Sequence, residues 1–197
     1  MPKSELITHT VHFAGSGPGN TERTLELVQE RAEALGINTV LVATTTGATA
    51  VKLGKRAPGL NIVAVTHSTG FDDVNIQQLM PEHRATLAAA GAHILTATHA
   101  FGGVGRAVRK KLATYQTEEI IAFTLRLFGQ GMKVAAEITL MAADTGLAVV
   151  GEPVIAIGGT SRGADTAVVL LPTNAQTFFD LRFLEIICMP SPGHPAL

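Results

Sequence analysis

Short apolar runs alternate with longer amphipathic stretches along most of this 197-residue chain. Runs of aliphatic and β-branched residues between loops rich in Gly, Ser and Thr are typical of strands buried in a parallel sheet. In the first run, Ile7, Val11 and Phe13 share one face by the two-residue period. The pattern predicts strands at residues 7–13, 39–44, 61–66, 94–98, 154–157 and 183–189.

The amphipathic stretches between these runs predict helices. Val134, Ile138 and Met141 recur at helical spacing, so residues 132–143 are predicted to form a helix rather than a strand. Thr117 is predicted to cap the N-terminus of another helix, which ends at Gly129, before residues 132–143. Further helices are predicted from Asn20 or Thr21 to Gly36, after Thr49, from Pro81 to Gly91, and at residues 176–180.

Residues 154–171 depart from the alternation of strands and helices that the rest of the chain shows. Two apolar runs flank a glycine-rich loop there, and they are predicted to pair as antiparallel strands. Elsewhere, strands alternate with helices, which predicts a three-layer α/β/α fold with a mostly parallel sheet and one antiparallel strand near the C-terminus. We predict a single domain over residues 1–190 and a loose tail over residues 191–197.

Each predicted strand-to-helix junction carries Gly, Ser or Thr. Ligands of open α/β sheets bind beyond the carboxyl ends of the strands, so the loops after Phe13, Thr44, Thr66, Thr98 and Ile157 are expected to meet at one edge. Turned backbone amides, hydroxyls and an arginine suit a phosphate. The predicted ligand-binding residues are Thr44, Thr45, Thr46, Gly47, Thr49, Thr66, His67, Thr69, Gly70, Phe71, Gly158, Gly159, Ser161, Arg162, Gly163 and Asp165.

Residues 159–163, GTSRG, have the form of a hydrolase motif, G-x-S-x-G. That motif needs a strand before it and a helix after it, whereas β-branched residues follow here. Asp180 and His194 stand in the right order to complete a triad with Ser161. A small hydrolase that uses Ser161 is therefore one alternative to a binding protein.

Two histidines, His67 and His99, follow predicted strands and are the first candidates for acid–base catalysis, because imidazole titrates near neutral pH. A phosphosugar isomerase that uses either of them is a further alternative, and so is a role as ordinary loop residues. His9 and His12 lie on opposite faces of a strand, so no metal site is predicted. Glu137 must be paired or protonated if it faces the interior.

Charged residues near the loops also have two interpretations. Arg162 and Asp165 either contact a ligand or form an ion pair that braces the loop. Residues 106–111 carry four basic side chains, which are predicted to form a solvated helix face rather than a phosphate contact.

Composition and charge indicate which kinds of partner the protein binds. Charged residues make up only 16% of the chain and hydrophobic ones 46%, which suggests that part of the surface is covered in a homo-oligomer. The net charge of -1 argues against a nucleic-acid partner. Neither a signal peptide nor a membrane span is visible, and Cys188 is the only cysteine, so a cytoplasmic protein without an internal disulfide is expected.

Residues 38–66, NTVLVATTTGATAVKLGKRAPGLNIVAVT, resemble the C-terminal α/β domain of pyruvate kinase. In fungal and animal pyruvate kinases, the corresponding Thr/Ser loop holds a phosphate of an allosteric sugar bisphosphate. The resemblance implies that role for Thr44, Thr45, Thr46, Gly47 and Thr49. No stretch here corresponds to the catalytic barrel, so no pyruvate kinase activity is expected.

Most of the chain is similar to a small group of stand-alone prokaryotic proteins that share this fold, through the stretches EITLMAADTG and GGTSRGADTAVV. The resemblance implies flavin mononucleotide (FMN) as the bound ligand. It would place phosphate or ribityl oxygens on the Thr45–Thr49 loop, and Thr69 and Gly70 at the wall. Phe71 or Phe101 could cover the ring, although a core role is expected for both.

Overall fold

The computed structural model describes residues 5–196 of the protein. The strands of its single sheet are β1 (Val11–Phe13), β2 (Thr39–Ala43), β3 (Asn61–Val65), β4 (His93–Leu95), β5 (Val154–Gly158), β6 (Thr166–Leu171) and β7 (Arg182–Pro190). They lie side by side in the order β1-β7-β6-β5-β2-β3-β4. Strand β6 runs antiparallel to both of its neighbours, and the other pairs are parallel. The predicted mostly parallel sheet with one antiparallel strand is confirmed.

Within residues 5–196, six α-helices cover the two faces of the sheet: α1 (Thr21–Leu35), α2 (Ala48–Arg56), α3 (Pro81–Ala89), α4 (Val104–Leu112), α5 (Thr117–Leu125) and α6 (Gln130–Asp144). Successive residues of β2 point to opposite faces, and this alternation separates two cores. Val40 and Val42 belong to the core between the sheet and helices α1, α2 and α3, whereas Leu41 belongs to the core between the sheet and α6. The predicted three-layer arrangement is therefore confirmed.

Several predicted boundaries need correction. The first strand begins at Val11, and Ile7 is 78% exposed, so the apolar face expected from residue 7 onward is not buried. Strand β4 ends at Leu95, before the hydroxyl-rich residues that were expected to belong to it. Gln116 rather than Thr117 caps α5, because Gln116 and Glu119 form a reciprocal capping box.

One close contact fixes the start of α6 against the sheet. A Cβ atom added at Gly158 would lie 2.3 Å from the carbonyl oxygen of Gly131, and one added at Gly131 would lie 2.1 Å from the hydroxyl of Thr166. Because neither glycine has a side chain, α6 approaches the ends of β5 and β6 closely enough to place its first turns at the carboxyl edge.

Within residues 5–196, no helix combines the length and the apolar character that crossing a bilayer requires. Residues 1–4 of the predicted domain (residues 1–190) and residue 197 of the predicted tail lie outside the described residues. In the described part of the tail, the Ser191 amide donates to the Phe13 carbonyl. The domain and tail boundaries stay predictions.

Candidate functional site

The loops that follow β2, β3, β4 and β5 meet at one edge of the sheet and enclose a cleft of about 680 Å³ with the inner face of α6. This volume is in the usual range for small-molecule sites. The Thr44 loop and the Arg162 loop are 118 residues apart in the chain, yet both line the same cleft. The expected convergence of separate loops at the carboxyl edge is confirmed.

The predicted site residues divide into two groups. Those lining the cleft are Thr44, Thr45, Thr46, Thr49, Thr66, His67, Phe71, Gly159, Ser161, Arg162 and Gly163. Those outside its lining are Gly47, Thr69, Gly70, Gly158 and Asp165. Gly47 is the N-cap residue of α2, Gly158 ends β5 and Asp165 is fully buried, whereas Thr69 and Gly70 lie on an exposed turn.

The loop before α2 forms the outer rim of the cleft. Gly47 has φ of 98° and begins the helix without a side-chain cap, so the first amides of α2 have no capping oxygen. Thr44 Oγ1 accepts the Gly47 N–H at 3.1 Å, and the Thr46 carbonyl accepts from the Met80 amide and contacts His83 Nδ1. Neither Thr45 nor Thr46 caps α2, because Gly47 is its N-cap residue and no side chain caps it.

The loop after β5 is held by a buried carboxylate. Asp165 is fully buried and accepts hydrogen bonds from the Gly17 amide at 2.9 Å and the Thr160 amide at 3.1 Å. Of the two interpretations offered for Arg162 and Asp165, the ion pair between them does not form. Arg162 is exposed at the cleft and has no ion-pair partner among residues 5–196. Asp165 is therefore a structural residue, and Arg162 is available to an anion.

The inner wall carries a buried ionic cluster on α6. The Lys133 ammonium donates to Glu137 Oε2, and the Phe101 amide donates to Glu137 Oε1 at 3.1 Å. His99 Nδ1 lies 3.6 Å from the same carboxylate. Lys133 and Glu137 are each only 4% exposed. Glu137 faces inward and is paired, as the sequence required if it were buried.

This cluster shifts the pKa of both members of the ion pair. Burial raises the pKa of Glu137, but the contacts with His99 and Lys133 outweigh burial and lower that pKa to about 2. For Lys133, burial is the larger effect and lowers the pKa, although the Glu137 carboxylate opposes it. The nearby guanidinium groups of Arg126 and Arg106 lower the Lys133 pKa further.

His67 has a fixed tautomer. Gln78 Nε2 donates to the Asp72 carboxylate at 2.5 Å, so the amide oxygen of Gln78 faces His67 Nδ1 at 2.6 Å. Because that oxygen only accepts, Nδ1 carries a proton, and in the neutral ring Nε2 is therefore the nitrogen with the lone pair. No residue of 5–196 hydrogen-bonds to Nε2 of His67. His67 thus presents a basic nitrogen in the lining of the cleft.

Phe71 forms the aromatic part of the lining. Its ring stacks on His67 with centroids 4.1 Å apart and on His99 with centroids 4.9 Å apart. The guanidinium of Arg106 lies 4.7 Å from the Phe71 centroid. Phe101, the other predicted ring contact, is buried in a core cluster and packs edge-on against Phe178, which confirms a core role for it. Phe71 lies at the cleft rather than in the core.

The cleft is more positive than the chain as a whole. The sequence has a net charge of -1, yet cationic groups outnumber carboxylates in the lining. The cations are Lys52, Arg106, Arg126, Lys133 and Arg162, and the carboxylates are Asp72 and Glu137. A positive cleft in a nearly neutral chain favours an anionic ligand.

The hydrolase arrangement is not assembled around Ser161. This residue has φ of 68° on an exposed loop, and β6 follows it where a nucleophile elbow needs a helix. His194 stacks on His12, with ring centroids 5.5 Å apart, and neither histidine lines the cleft. The structure gives no support to a Ser161–His194–Asp180 triad.

Four cationic lining residues were not among the predicted site residues: Lys52, Arg106, Arg126 and Lys133. The interpretation of residues 106–111 as only a solvated face was wrong for Arg106, which reaches Phe71 and the cleft. For Lys133 the sequence holds a signal: it precedes Glu137 by four residues in an otherwise mostly apolar helix. That spacing places both charges on one face of a helix.

The fold and the cleft define a three-layer α/β protein with a ligand site beyond the carboxyl ends of its strands. A family model described as the pyruvate kinase alpha/beta domain matches residues 22–170, which is most of the chain. The chain therefore belongs to the pyruvate kinase alpha/beta domain family.

Solved structures of pyruvate kinase from Cryptosporidium parvum resemble this chain. Two of them have 18% and 17% sequence identity and TM-scores of 0.42 and 0.41, over 78% and 81% of this chain but only 23% and 24% of theirs. A third, in complex with ADP, has 18% identity and a TM-score of 0.39, over 76% of this chain and 22% of its own. This chain thus spans less than a quarter of the length of those enzymes, and the family assignment depends on the family model alone.

Proposed function

We propose that this protein binds a phosphate-bearing small molecule in the cleft at the carboxyl edge of the sheet. The observation that carries the proposal is the meeting of the uncapped N-terminus of α2, the Thr45 and Thr46 side chains, and the unpaired Arg162 in one positive cleft. Helix amides and an arginine fork are the groups that bind phosphate best. The wall on α6 would contact the rest of the ligand.

FMN is the specific ligand we propose, on the resemblance to the stand-alone proteins. The residues fit it in three respects: the rim suits a phosphate, the volume suits a ligand of this size, and Phe71 offers an aromatic face. Thr45, Thr46, Thr49 and Arg162 would hold the phosphate end, and Phe71 would contact the ring. Bound FMN would supply hydride or single-electron transfer.

The phosphate assignment predicts a loss of affinity in two rim variants. We expect Arg162→Ala to weaken FMN binding roughly 10- to 100-fold and Thr46→Ala by about threefold to tenfold, because hydrogen bonds to a charged group contribute about 1.5–3 kcal/mol and neutral ones less. Isothermal titration calorimetry with FMN measures both. Arg84→Ala and Thr86→Ala are matched controls outside the cleft and should bind as tightly as the parent.

Equal affinity in the parent and both rim variants would refute the phosphate assignment. A purified protein that is colourless and also ignores added FMN would refute the flavin, while binding of inorganic phosphate by that same protein would keep the broader proposal.

An acid–base enzyme acting on a phosphorylated sugar is the second candidate, and one observation favours it. The Asp72–Gln78–His67 chain places the proton of the neutral imidazole on Nδ1, so that Nε2 is the nitrogen that would accept a proton in the lining of the cleft, as a general base requires. His99 is less suited to this role, because its Nε2 already accepts the Ser68 amide at 3.4 Å. We also propose that the chain lacks pyruvate kinase activity, since residues 5–196 form no catalytic barrel.

We further propose a cytoplasmic homo-oligomer that uses the exposed apolar face of α5 and its flanking residues. Ile120, Phe123 and Leu127 recur at helical spacing, and Leu127 is 82% exposed. Contiguous apolar surface of this kind marks interaction sites. We expect light scattering after gel filtration to show an assembly that Leu127→Lys shifts toward the monomer without lowering the melting temperature.

Val74→Lys, which changes a similarly exposed residue in the loop between β3 and α3, is the matched control and should leave the assembly intact. A parent protein that is already monomeric at micromolar concentration would refute the proposed oligomer.

A further inference from the structure

Lys133 stands apart from the other lysines of the described chain. Lys52, Lys55, Lys110 and Lys111 are exposed, whereas Lys133 is 4% exposed and lines the cleft. Its ammonium lies beside the Glu137 carboxylate and 5.7 Å from the centroid of the Phe101 ring. A buried amine at the wall of a ligand cleft is chemically distinct from a surface lysine, because desolvation makes it a better nucleophile.

We propose that Lys133 forms a protonated imine with the carbonyl carbon of a phosphorylated aldehyde or ketone bound in the cleft. This inference rests on the phosphate-binding part of the proposed function. The rim at Thr46 and Arg162 would take the phosphate, and the inner wall would take the carbonyl group. FMN, which would use the same rim, should compete with such a compound.

The step balances without any further reactant. The Glu137 carboxylate takes one proton from the ammonium, and the freed amine adds to the carbonyl carbon. One of the remaining amine protons then moves to the carbonyl oxygen, which gives a neutral carbinolamine. Glu137 returns the proton, the carbinolamine oxygen leaves as water, and a carbon–nitrogen double bond forms. The ammonium and the carbonyl compound thus become a protonated imine and one water molecule, with no change in net charge.

The surroundings of Lys133 favour both the neutral amine that reacts and the protonated imine that forms. Burial and the charges of Arg126 and Arg106 lower the pKa of Lys133, which increases the fraction of neutral amine. The Glu137 carboxylate, held by the Phe101 amide at 3.1 Å, remains next to the positive charge before and after the imine forms. The protonated imine would therefore keep the ion pair that the ammonium has now.

Reductive trapping tests the proposal. The full-length protein is incubated with glyceraldehyde 3-phosphate and sodium cyanoborohydride, and peptide mass spectrometry locates the secondary amine. We expect one adduct at Lys133, formed roughly tenfold faster than at the exposed Lys52. Glyceraldehyde without the phosphate should label Lys133 about tenfold more slowly, because it lacks the group that the rim binds.

Lys133→Arg is the informative variant, because arginine keeps the charge beside Glu137 but cannot form this imine. It should lose the adduct and still bind glycerol 3-phosphate, which has the phosphate but no carbonyl group. Lys52→Arg should keep the Lys133 adduct. Labelling of Lys52 as fast as Lys133, or no adduct at Lys133, overturns the proposal.

Binding of glycerol 3-phosphate by the parent separates the two possible failures. If it binds and no adduct forms, only the imine is wrong. If neither glycerol 3-phosphate nor FMN binds, the proposed function fails as well.

Discussion

Lys133→Met should lower the free energy of unfolding by about 3–5 kcal/mol, the largest effect that we expect of any single substitution. Methionine fills a similar volume but leaves the Glu137 carboxylate buried at 4% exposure without its cation. An unpaired buried charge is far more costly than the loss of one surface ion pair. Urea unfolding at neutral pH, followed by circular dichroism, measures the change.

The double variant Lys133→Met/Glu137→Gln is the control for this effect. Glutamine removes the charge but keeps an oxygen that can accept from the Phe101 amide, now 3.1 Å from Glu137. We expect the double variant to recover at least half of the loss, because replacing both members of a buried pair costs less than removing one. A double variant as unstable as Lys133→Met would contradict this account.

The same ion pair makes the stability of the protein depend on pH in the acid range. The pKa of Glu137 is about 2 in the folded protein, below the 4.5 of an ordinary glutamate, so the unfolded chain binds this proton first. Its contribution to stability is therefore complete above pH 4.5 and is lost as the pH falls toward 2. The stability of Glu137→Gln should fall less steeply than that of the parent across that interval.

Gly158→Ala should destabilise the protein by about 2–3 kcal/mol, which is typical of severe overpacking. The new Cβ would lie 2.3 Å from the Gly131 carbonyl oxygen, and because both are backbone groups, α6 itself must move. That displacement would also move Lys133 and the inner wall, so weaker ligand binding should accompany the loss. Thermal and urea unfolding give the stability, and titration with FMN gives the affinity.

Gly54→Ala is the matched control. Gly54 lies inside α2, and an added Cβ would make only ordinary contact with Ile62 at 3.7 Å. Alanine should be neutral or stabilise by up to about 1 kcal/mol, since glycine is unfavourable in a helix interior. If Gly158→Ala behaved like Gly54→Ala, the close approach of α6 would not be the reason for glycine at position 158.

The position of the cleft could be predicted because it depends on local signals. The glycine and hydroxyl residues after each strand are visible along the chain, and the rule that parallel strands end at a common edge places them together. The Thr44 and Arg162 loops meet for this reason. The roles of individual side chains within the cleft do not follow from that rule. Asp165, for example, is a buried residue that holds its loop in place, and Thr69 lies outside the lining of the cleft.

By itself the sequence determined the order of strands and helices, the three layers and the edge at which loops converge, since each follows from apolar periodicity and turn residues close together in the chain. Only the tertiary structure decided which charges are buried. Lys133 and Glu137 share a face of α6 through their spacing, but the pair is buried only where α6 packs closely on the sheet, and His99 joins it from the loop after β4. Such packing depends on contacts between distant segments, which no local pattern of residues specifies.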